Sequence, residues 1–395
     1  MKTSLASPRI PLLTVAALAT GALAAGPAFA ATLYVSPKGK NQKTCAAPAP
    51  CKTISFAVGK AKKGDTVDVA KGTYKDSVKV AKDIDLTGIG SPVIDATGKA
   101  NGILITGAKA AGAKVKGFVV RNATDEGILA LQTSQVTIFG NTVRTSDKGI
   151  SAKKPVGECA AQGQVPGDCG EGLHLMTVSD SKVIANTVED NLGGILITDE
   201  LGPTHGNLIS SNKVLDNAGD CGITIAGHNV NAVAGTVPQP TKGGVYDNIV
   251  IYNTANDNGL KGLGGGILIA AGAPGSGVYD NTVQNNTANG NGLGGFTLHS
   301  HAPGQYFADN RIIDNTFLDD GLAGSPGGKP GDVQAGITQS VGIIVFSAVT
   351  PLTGTVITGN NLGDEYYGIW TENVPQVDQS ANSFGSGVTI DVSQR

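Results

Sequence analysis

A glycine followed by a short strand-forming segment recurs along most of this chain. The segment reads GILIT from Gly102, GILIT from Gly194 and GITIA from Gly222. Further copies begin at Gly127, Gly172, Gly266, Gly295, Gly342 and Gly368. Where nothing is inserted, neighbouring copies lie 22 to 25 residues apart. A fixed period of this length, built from β-branched residues and turns of Gly and Asn, predicts a solenoid of stacked parallel strands, a parallel β-helix.

Such a solenoid arranges side chains in columns, because residues at the same phase of successive coils lie about 4.8 Å apart. The first and third residues after most of these glycines are apolar, as in Ile195 and Ile197. We expect these residues to point inward and to form aliphatic columns that supply most of the stability. An asparagine follows each second strand, and these amides are predicted to stack as one ladder in the turn. Its predicted members are Asn186, Asn212, Asn253, Asn281 and Asn310.

The first thirty residues differ from the repeats. Lys2 and Arg9 give a charged start, a run of small and apolar residues follows, and Ala28-Phe29-Ala30 forms an A-x-A pattern. This pattern is typical of a secretory signal peptide that is cleaved after Ala30. No later apolar run approaches the ~18 residues that span a bilayer. The mature product is therefore predicted to be soluble, without a membrane span, and either periplasmic or secreted.

The rest of the chain is predicted to form one elongated domain. Residues 31–75 carry strand patterns on either side of Ile54, Ala57, Val58 and Ala61, whose spacing is helical. A short helix here would cap the open end of the solenoid.

The coils are predicted over residues 76–395. Four inserts break the period, at 153–170, 199–207, 229–243 and 319–341. We expect each insert to follow or interrupt the glycine-led strand or its neighbouring turn. In that case all four emerge on one side of the solenoid, where they would wall a binding groove.

Five cysteines in an exported chain favour disulfides. Cys45 with Cys51, and Cys159 with Cys169, each bracket a short loop and are predicted to pair. Cys221 remains, and we expect it to pack in the core.

Charge is distributed unevenly along the chain. Residues 31–199 hold 21 basic and 16 acidic residues, whereas residues 200–395 hold 6 and 16. The basic part is lysine without interleaved aromatic residues, so nucleic acid is not an expected partner. The acidic part disfavours a polyanion unless a cation mediates, and a monomer is the expected state.

The run KTISFAVGKAKKGDTVDVAKGTY at residues 52–74 resembles the opening of secreted proteins of the pectate-lyase-like superfamily, and the repeats that follow resemble its coils. GDCGITIAGHN and TLHSHAPGQ resemble a secreted subgroup of it. The resemblance implies an all-β, single-stranded right-handed parallel β-helix and a polysaccharide partner. Members include pectate lyases, polygalacturonase-like hydrolases, alginate epimerases and lyases, and a copper-associated periplasmic protein.

All five histidines lie near the glycine-led strand. His228 and His301 each lie six residues after their glycine, and His299 lies four after. Glu200 has the same phase as His228, so we expect the two to lie about 5 Å apart on adjacent coils. A line of imidazoles and carboxylates along a groove is suited to general acid–base chemistry on a long substrate.

Lyase or epimerase chemistry is the favoured hypothesis. It needs a base, for which His228, His301 and His299 are candidates, and a positive group or Ca²⁺ to stabilise the anion. Arg311 is the natural positive group, although its phase places it on another strand. Ca²⁺ is thus the candidate cofactor, although no DxDxDG-type loop occurs.

Three alternatives remain open. A glycoside hydrolase needs two carboxylates on either side of one bond, which Asp199, Glu200 and Asp220 could supply. A copper or zinc site could form from His299, His301 and His228, without an evident fourth ligand. A non-catalytic glycan-binding scaffold or adhesin would explain why no complete catalytic motif is present.

Four further residues are candidates for substrate contact. They are His174, His205, Gln305 and Trp370. Trp370 lies on an outward phase, where an indole can stack on a sugar ring or shield the end of the core.

Overall fold

The computed structural model describes residues 30–42, 44–146, 170–228, 243–261, 264–272, 274–349, 352–374 and 381–395. These residues form strands β1 to β36, numbered along the chain, one α-helix α1 (Ile54–Lys60) and one 3-10 helix (Ala108–Ala110). The strands belong to three sheets, A, B and C. Each coil contributes to all three sheets in turn, and the strands pair in parallel with those of the next coil. The predicted parallel β-helix is therefore confirmed.

Sheets A and C each contain eleven strands. Sheet A comprises β1 (Thr32–Val35), β2 (Thr66–Ala70), β5 (Asp85–Ile89), β8 (Lys114–Lys116), β11 (Thr137–Phe139), β14 (Lys182–Ile184), β18 (Leu208–Ser210), β22 (Ile249–Ile251), β26 (Thr282–Gln284), β29 (Arg311–Ile313) and β32 (Val356–Thr358). Sheet C comprises β3 (Thr73–Tyr74), β6 (Val93–Asp95), β9 (Val119–Arg121), β12 (Thr142–Arg144), β15 (Thr187–Glu189), β19 (Lys213–Leu215), β23 (Thr254–Asn256), β27 (Thr287–Asn289), β30 (Thr316–Leu318), β33 (Asn361–Gly363) and β35 (Ser383–Phe384).

Sheet B contains the glycine-led strands. It comprises β4 (Val78–Val80), β7 (Ile103–Thr106), β10 (Ile128–Ser134), β13 (Glu171–Ser179), β16 (Gly193–Thr198), β20 (Ile223–Gly227), β24 (Ile267–Ala271), β28 (Phe296–Ser300), β31 (Val341–Ser347), β34 (Tyr367–Glu372) and β36 (Ile390–Gln394). Three short strands, β17 (Thr204–His205), β21 (Val245–Tyr246) and β25 (Val278–Tyr279), extend it at one side. We call these three strands the side ribbon.

The core consists of aliphatic columns that run along the solenoid. Ile195 pairs with Ile223 and Ile197 pairs with Ile225 on the next coil, and all four are at most 1% exposed. The inward phase expected from the sequence is therefore confirmed. A truncation such as Ile225→Ala should cost about 2–5 kcal/mol, because it leaves a cavity between two coils.

The leading glycine is required by close packing between coils. A Cβ atom built on Gly194 would lie 2.0 Å from the carbonyl oxygen of Gly222 and 2.4 Å from Cγ1 of Val214. Any larger residue would therefore push the next coil and a core valine away, which explains why the repeat begins with glycine.

The asparagines form three ladders rather than one. In each ladder a side-chain Nδ2 donates to Oδ1 of the equivalent residue on the next coil. The ladders are Asn207–Asn248–Asn281–Asn310, Asn141–Asn186–Asn212–Asn253–Asn286–Asn315–Asn360–Asn382, and Asn191–Asn217–Asn258–Asn291–Asp320. Asn281 and Asn310 were expected beside Asn253, and that grouping is wrong. The turns of one coil have the same local sequence pattern, so the spacing of the asparagines alone does not show which ladder each of them joins.

The first coils are closed by the predicted helix. The buried residues of α1 are Ile54, Ala57 and Val58, which join the same core as the coils. A disulfide links Cys45 to Cys51 beside this helix, as predicted. The predicted signal peptide, except Ala30, and the predicted Cys159–Cys169 pair lie outside the described residues. No helix within the described ranges is long and apolar enough to cross a membrane.

Sheet B forks at the ends of its strands. The middle of β13 pairs with β16, whereas its last residue, Ser179, pairs with His205 of the side ribbon. The coil that contains β16 therefore leaves the main part of sheet B, crosses a connecting segment and returns in the ribbon strand β17. Residues 199–203 form this segment. The insert at 319–341 follows β30 of sheet C and precedes β31, so it reaches sheet B from the opposite end of the strands.

Candidate functional site

The polar residues predicted for the site collect at the fork of sheet B. Asp199 and Glu200 directly follow β16, and His228 directly follows β20. His299 lies in β28, and His301 comes one residue after that strand. These strands are successive neighbours in sheet B except for β24, which lies between β20 and β28. His228 and His301 are therefore two coil steps apart, roughly 10 Å.

Asp199 holds the two branches of the fork together. Its Oδ1 accepts a hydrogen bond from the backbone N–H of His228, and its Oδ2 accepts one from the backbone N–H of Gly244, both at 2.6 Å. Gly244 directly precedes the ribbon strand β21. Burial raises the pKa of Asp199 to about 6, although both backbone hydrogen bonds oppose that shift.

His228 is oriented by a carboxylate on the preceding coil. Its Nδ1 lies 3.2 Å from Oε1 of Glu200, as their shared phase predicted. Burial alone would raise the pKa of Glu200, but the hydrogen bond from His228 and the charges of His174 and His228 outweigh it and lower the pKa. Glu200 is therefore an ionised acceptor that holds the imidazole by one nitrogen.

A second imidazole–carboxylate pair lies two coils further along. Nε2 of His299 lies 2.8 Å from Oδ2 of Asp332, and its Nδ1 lies 3.1 Å from Oε1 of Gln334. His299 is buried, whereas His301 is exposed and packs edge-on against it, with ring centroids 5.1 Å apart. Partial burial of the ring and the neighbouring His299 lower the pKa of His301, although Asp332 opposes the shift. Of the two neighbouring imidazoles, His299 and His301, His301 is thus the accessible and neutral one.

His174 lies beneath the surface rather than in a groove. It is fully buried, with Nδ1 3.1 Å from Oε1 of Glu126 and Nε2 2.8 Å from Oγ1 of Thr198. The predicted substrate contact is therefore wrong for His174, because a residue with no exposed surface cannot touch a glycan.

One donor group could hold a metal ion. Among the described residues, Glu126, Glu171 and His174 each offer a ligand atom within 4.8 Å of the others. The copper or zinc site expected from His299, His301 and His228 does not assemble, because His299 and His228 face Asp332 and Glu200 instead. A Ca²⁺ site remains a prediction.

The sequence also matches a family of known proteins. Residues 101–317, more than half of the chain, match the family model described as "Right handed beta helix region". The chain belongs to this family. The solenoid is thus a right-handed parallel β-helix. No curated protein matches the sequence.

Several solved structures share this right-handed β-helix. A pectate lyase has a TM-score of 0.56 at 17% identity, with 84% of this chain and 79% of that chain covered. The A-module of a mannuronan C-5 epimerase from Azotobacter vinelandii has a TM-score of 0.52 at 15% identity, with 86% and 90% covered. A lacto-N-biosidase from Eubacterium ramulus has a TM-score of 0.53 at 11% identity, with 92% and 67% covered. Identities this low establish the fold alone.

Two predicted catalytic residues of the right-handed β-helix lie away from the fork. Arg311 is exposed on β29 of sheet A, so it cannot neutralise a charge at His228. A Cβ atom built on Gly193 would lie 3.3 Å from Cβ of Asp220. Gly193 is the first residue of β16, so Asp220 lies at the end of this strand opposite to Glu200. The six residues of β16 separate these ends by roughly 16 Å. A hydrolytic pair of Asp220 with Glu200 is therefore wrong, because it exceeds the ~9.5 Å limit for two carboxylates on one bond.

Gln305 and Trp370 both have contacts within the protein. Oε1 of Gln305 accepts from the backbone N–H of His301 at 2.8 Å, and its Nε2 donates to the carbonyl of Ala271 at 2.8 Å. Trp370 is 1% exposed and packs with Ile337 from the insert. It therefore shields apolar surface, which is the second of the two roles considered for it.

An aromatic stack lines the ribbon side of the fork. The ring of His205 lies 4.9 Å from that of Tyr246 and nearly parallel to it, and Tyr246 lies 5.0 Å from Tyr279. Tyr306 continues the row at 5.2 Å in a tilted arrangement. The three tyrosines were missed, although the repeated segment GVYDN at Gly244 and Gly277 signals two of them.

Other missed residues gave weaker signals. Thr198 follows the common strand pattern, and Asp332 and Gln334 lie in an irregular insert with no period to place them. Glu126 and Glu171 each directly precede a leading glycine. That shared phase could have placed the two carboxylates in one column.

Proposed function

We propose that this right-handed β-helix protein binds a polysaccharide along the outer face of sheet B and modifies it by general acid–base chemistry at the fork. The observation that carries the proposal is the pair of imidazole sites at one phase of the sheet, His228 with Glu200 and His301 with His299. From β16 to β36 the face extends over six coil steps, roughly 29 Å, which suits several sugar residues. Structures with the same fold include a pectate lyase, an epimerase and a lacto-N-biosidase.

The two imidazoles have complementary environments. His301 is the proposed base, because its lowered pKa keeps it neutral and able to accept a proton. His228 is the proposed acid, because Glu200 stabilises its protonated ring through Nδ1. Removal of a proton beside a carboxylate and protonation of a sugar oxygen or carbon are the steps of a lyase or an epimerase.

This assignment predicts which products form. The protein covering residues 31–395 is incubated with acidic and neutral polysaccharides, with Ca²⁺ and with chelator. Unsaturated product that absorbs in the ultraviolet identifies a lyase, and an NMR change in uronate configuration identifies an epimerase. Reducing ends without absorbance identify a hydrolase instead.

The decisive variant is the double substitution of His228 and His301 to Ala. Loss of turnover with unchanged circular dichroism supports the proposal, whereas full turnover contradicts it. Tyr252→Ala is the control, because Tyr252 is exposed between β22 of sheet A and β23 of sheet C, away from the fork. A non-catalytic glycan-binding scaffold is the second candidate, favoured by the absence of Arg311 from the site. It is indicated by tight glycan binding without turnover in all assays.

We also propose that the chain is exported by its first thirty residues, cleaved after Ala30, and works as a monomer. The Cys45–Cys51 disulfide supports this route, since such bonds persist in oxidising compartments. Amino-terminal sequencing of the protein recovered outside the cytoplasm tests the cleavage site, and sedimentation tests the monomer.

A further inference from the structure

We propose that Glu126, His174 and Thr198 form a buried hydrogen-bonded relay that holds Glu200 in place and so orients His228. The three are positioning residues rather than substrate contacts. The inference rests on the proposed role of His228, but the geometry of the relay can be tested without any substrate.

The relay is continuous through four adjacent coils of sheet B. Oε1 of Glu126 lies 3.1 Å from Nδ1 of His174, and Nε2 of His174 lies 2.8 Å from Oγ1 of Thr198. The Thr198 hydroxyl donates a hydrogen bond to Oε2 of Glu200. Oε1 of Glu200 then lies 3.2 Å from Nδ1 of His228. Each residue therefore contacts the next through a different atom.

The direction of each hydrogen bond follows from the number of protons available. The Thr198 hydroxyl has one hydrogen, and it goes to Glu200. Thr198 therefore accepts from His174, so Nε2 of His174 must carry a proton. Nδ1 of His174 faces a carboxyl oxygen of Glu126.

Glu200 is the acceptor at the end of this series. It accepts from Thr198 on one side and from His228 on the other, and it is buried. The lowered pKa of Glu200 agrees with this arrangement, since hydrogen bonds to the charged form favour it. An anion fixed from both sides cannot rotate, so His228 keeps its ring plane and its tautomer.

Burial separates these roles from substrate contact. Glu126, His174 and Thr198 are all fully buried, whereas His228 at the end of the relay is 9% exposed. Only His228 can meet a glycan, and the other residues act through it.

The test begins with ¹⁵N NMR of the imidazole rings in the full protein. The relay predicts a protonated Nε2 on His174 and a protonated Nδ1 on His228. In Glu126→Gln the Nδ1 of His174 faces an amide instead of a carboxyl group, so the His174 resonances should move, while circular dichroism stays unchanged. A His174 ring with Nε2 unprotonated overturns the relay. A divalent cation found by elemental analysis and bound to Nδ1 of His174 overturns it as well.

Two substitutions of Thr198 complete the test. Thr198→Val keeps the shape and removes the hydroxyl, so the His228 resonances should move and kcat should fall about tenfold with little change in KM. Thr198→Ser keeps the hydroxyl and should behave like the wild type. If Thr198→Val changes neither the His228 resonances nor kcat, the relay is wrong. If the resonances move and no polysaccharide is turned over, the relay stands and the proposed acid–base function fails.

Discussion

The carboxylate of Asp199 accepts a 2.6 Å hydrogen bond from the backbone N–H of His228. The same carboxylate accepts an equal bond from the backbone of Gly244, so one side chain fixes the candidate acid and the start of the ribbon. Asp199 is thus best understood as the anchor of the fork. Asp199 is fully buried, so its oxygens are not accessible to a substrate.

We therefore expect Asp199→Asn to impair turnover without unfolding the protein. An amide can accept only one of the two backbone N–H groups, so His228 should shift, and a displacement near 1 Å costs up to about 100-fold in rate. Asp247→Asn is the matched control, since Asp247 is an exposed turn residue of the next coil. If the two variants turn over the same substrate at equal rates, Asp199 does not have the anchoring role.

The buried carboxyl of Glu365 should make the protein less stable at alkaline pH. Burial raises its pKa to about 8, from an ordinary value of 4.5. The folded state therefore favours the protonated form, so the associated stability is present below about pH 4.5 and is lost as pH rises through about 8. The difference corresponds to at most about 5 kcal/mol.

Glu365→Gln should remove much of this dependence. The glutamine keeps the shape of the protonated acid, so thermal unfolding at pH 8.5 should occur at a higher temperature than in the wild type. Glu189→Gln, on a partly exposed strand position, should change little. Parallel pH curves for the wild type and Glu365→Gln would show that burial of this carboxyl does not set the slope.

The asparagine ladders should be the most sensitive polar positions in the fold. Nδ2 of Asn212 donates to Val183 and to Asn253, and its Oδ1 accepts from Asn186, all inside the protein. Asn212→Ala leaves those partners buried and unsatisfied, so the free energy of unfolding should fall by about 3 kcal/mol or more. Asn361→Ala, at an exposed position, should cost less than about 0.5 kcal/mol. Denaturant titrations of both variants measure the difference, and similar midpoints would refute it.

Turnover should persist on the acidic side of neutrality if His301 is the base. Its lowered pKa means that the ring stays neutral at pH values where an ordinary histidine is already protonated. His301→Gln should reduce kcat by roughly 100-fold or more and remove the acidic limb of the pH–rate profile. If the acidic limb of the pH–rate profile is unchanged in His301→Gln, the base is another residue.

The sequence predicted the coils because their signal is local and repeated. Leading glycines, inward aliphatic residues and helix α1 each follow a period that packing imposes on every coil. Glu200 and His228 were paired correctly for the same reason, since both keep the phase of their strands.

Predictions failed where the period was interrupted. Asp332 reaches His299 from an insert of irregular structure, so no spacing in the chain indicates that contact. Trp370 has an outward phase, but whether an outward residue is exposed depends on the insert that covers it. The phase of a residue in the repeat gives the direction in which its side chain leaves the strand. It does not show which other residues cover that side chain.

The two-coil interval between His228 and His301 has an evolutionary consequence. The asparagine ladders fix the coils that they join one above the other, so an insert lengthens a coil without changing the number of coil steps between two residues. Duplication or deletion of one turn between β20 and β28 would change the separation of the two imidazoles in increments of about 4.8 Å. Descendants of such a scaffold could therefore sample a discrete set of spacings, each matched to a different ligand length.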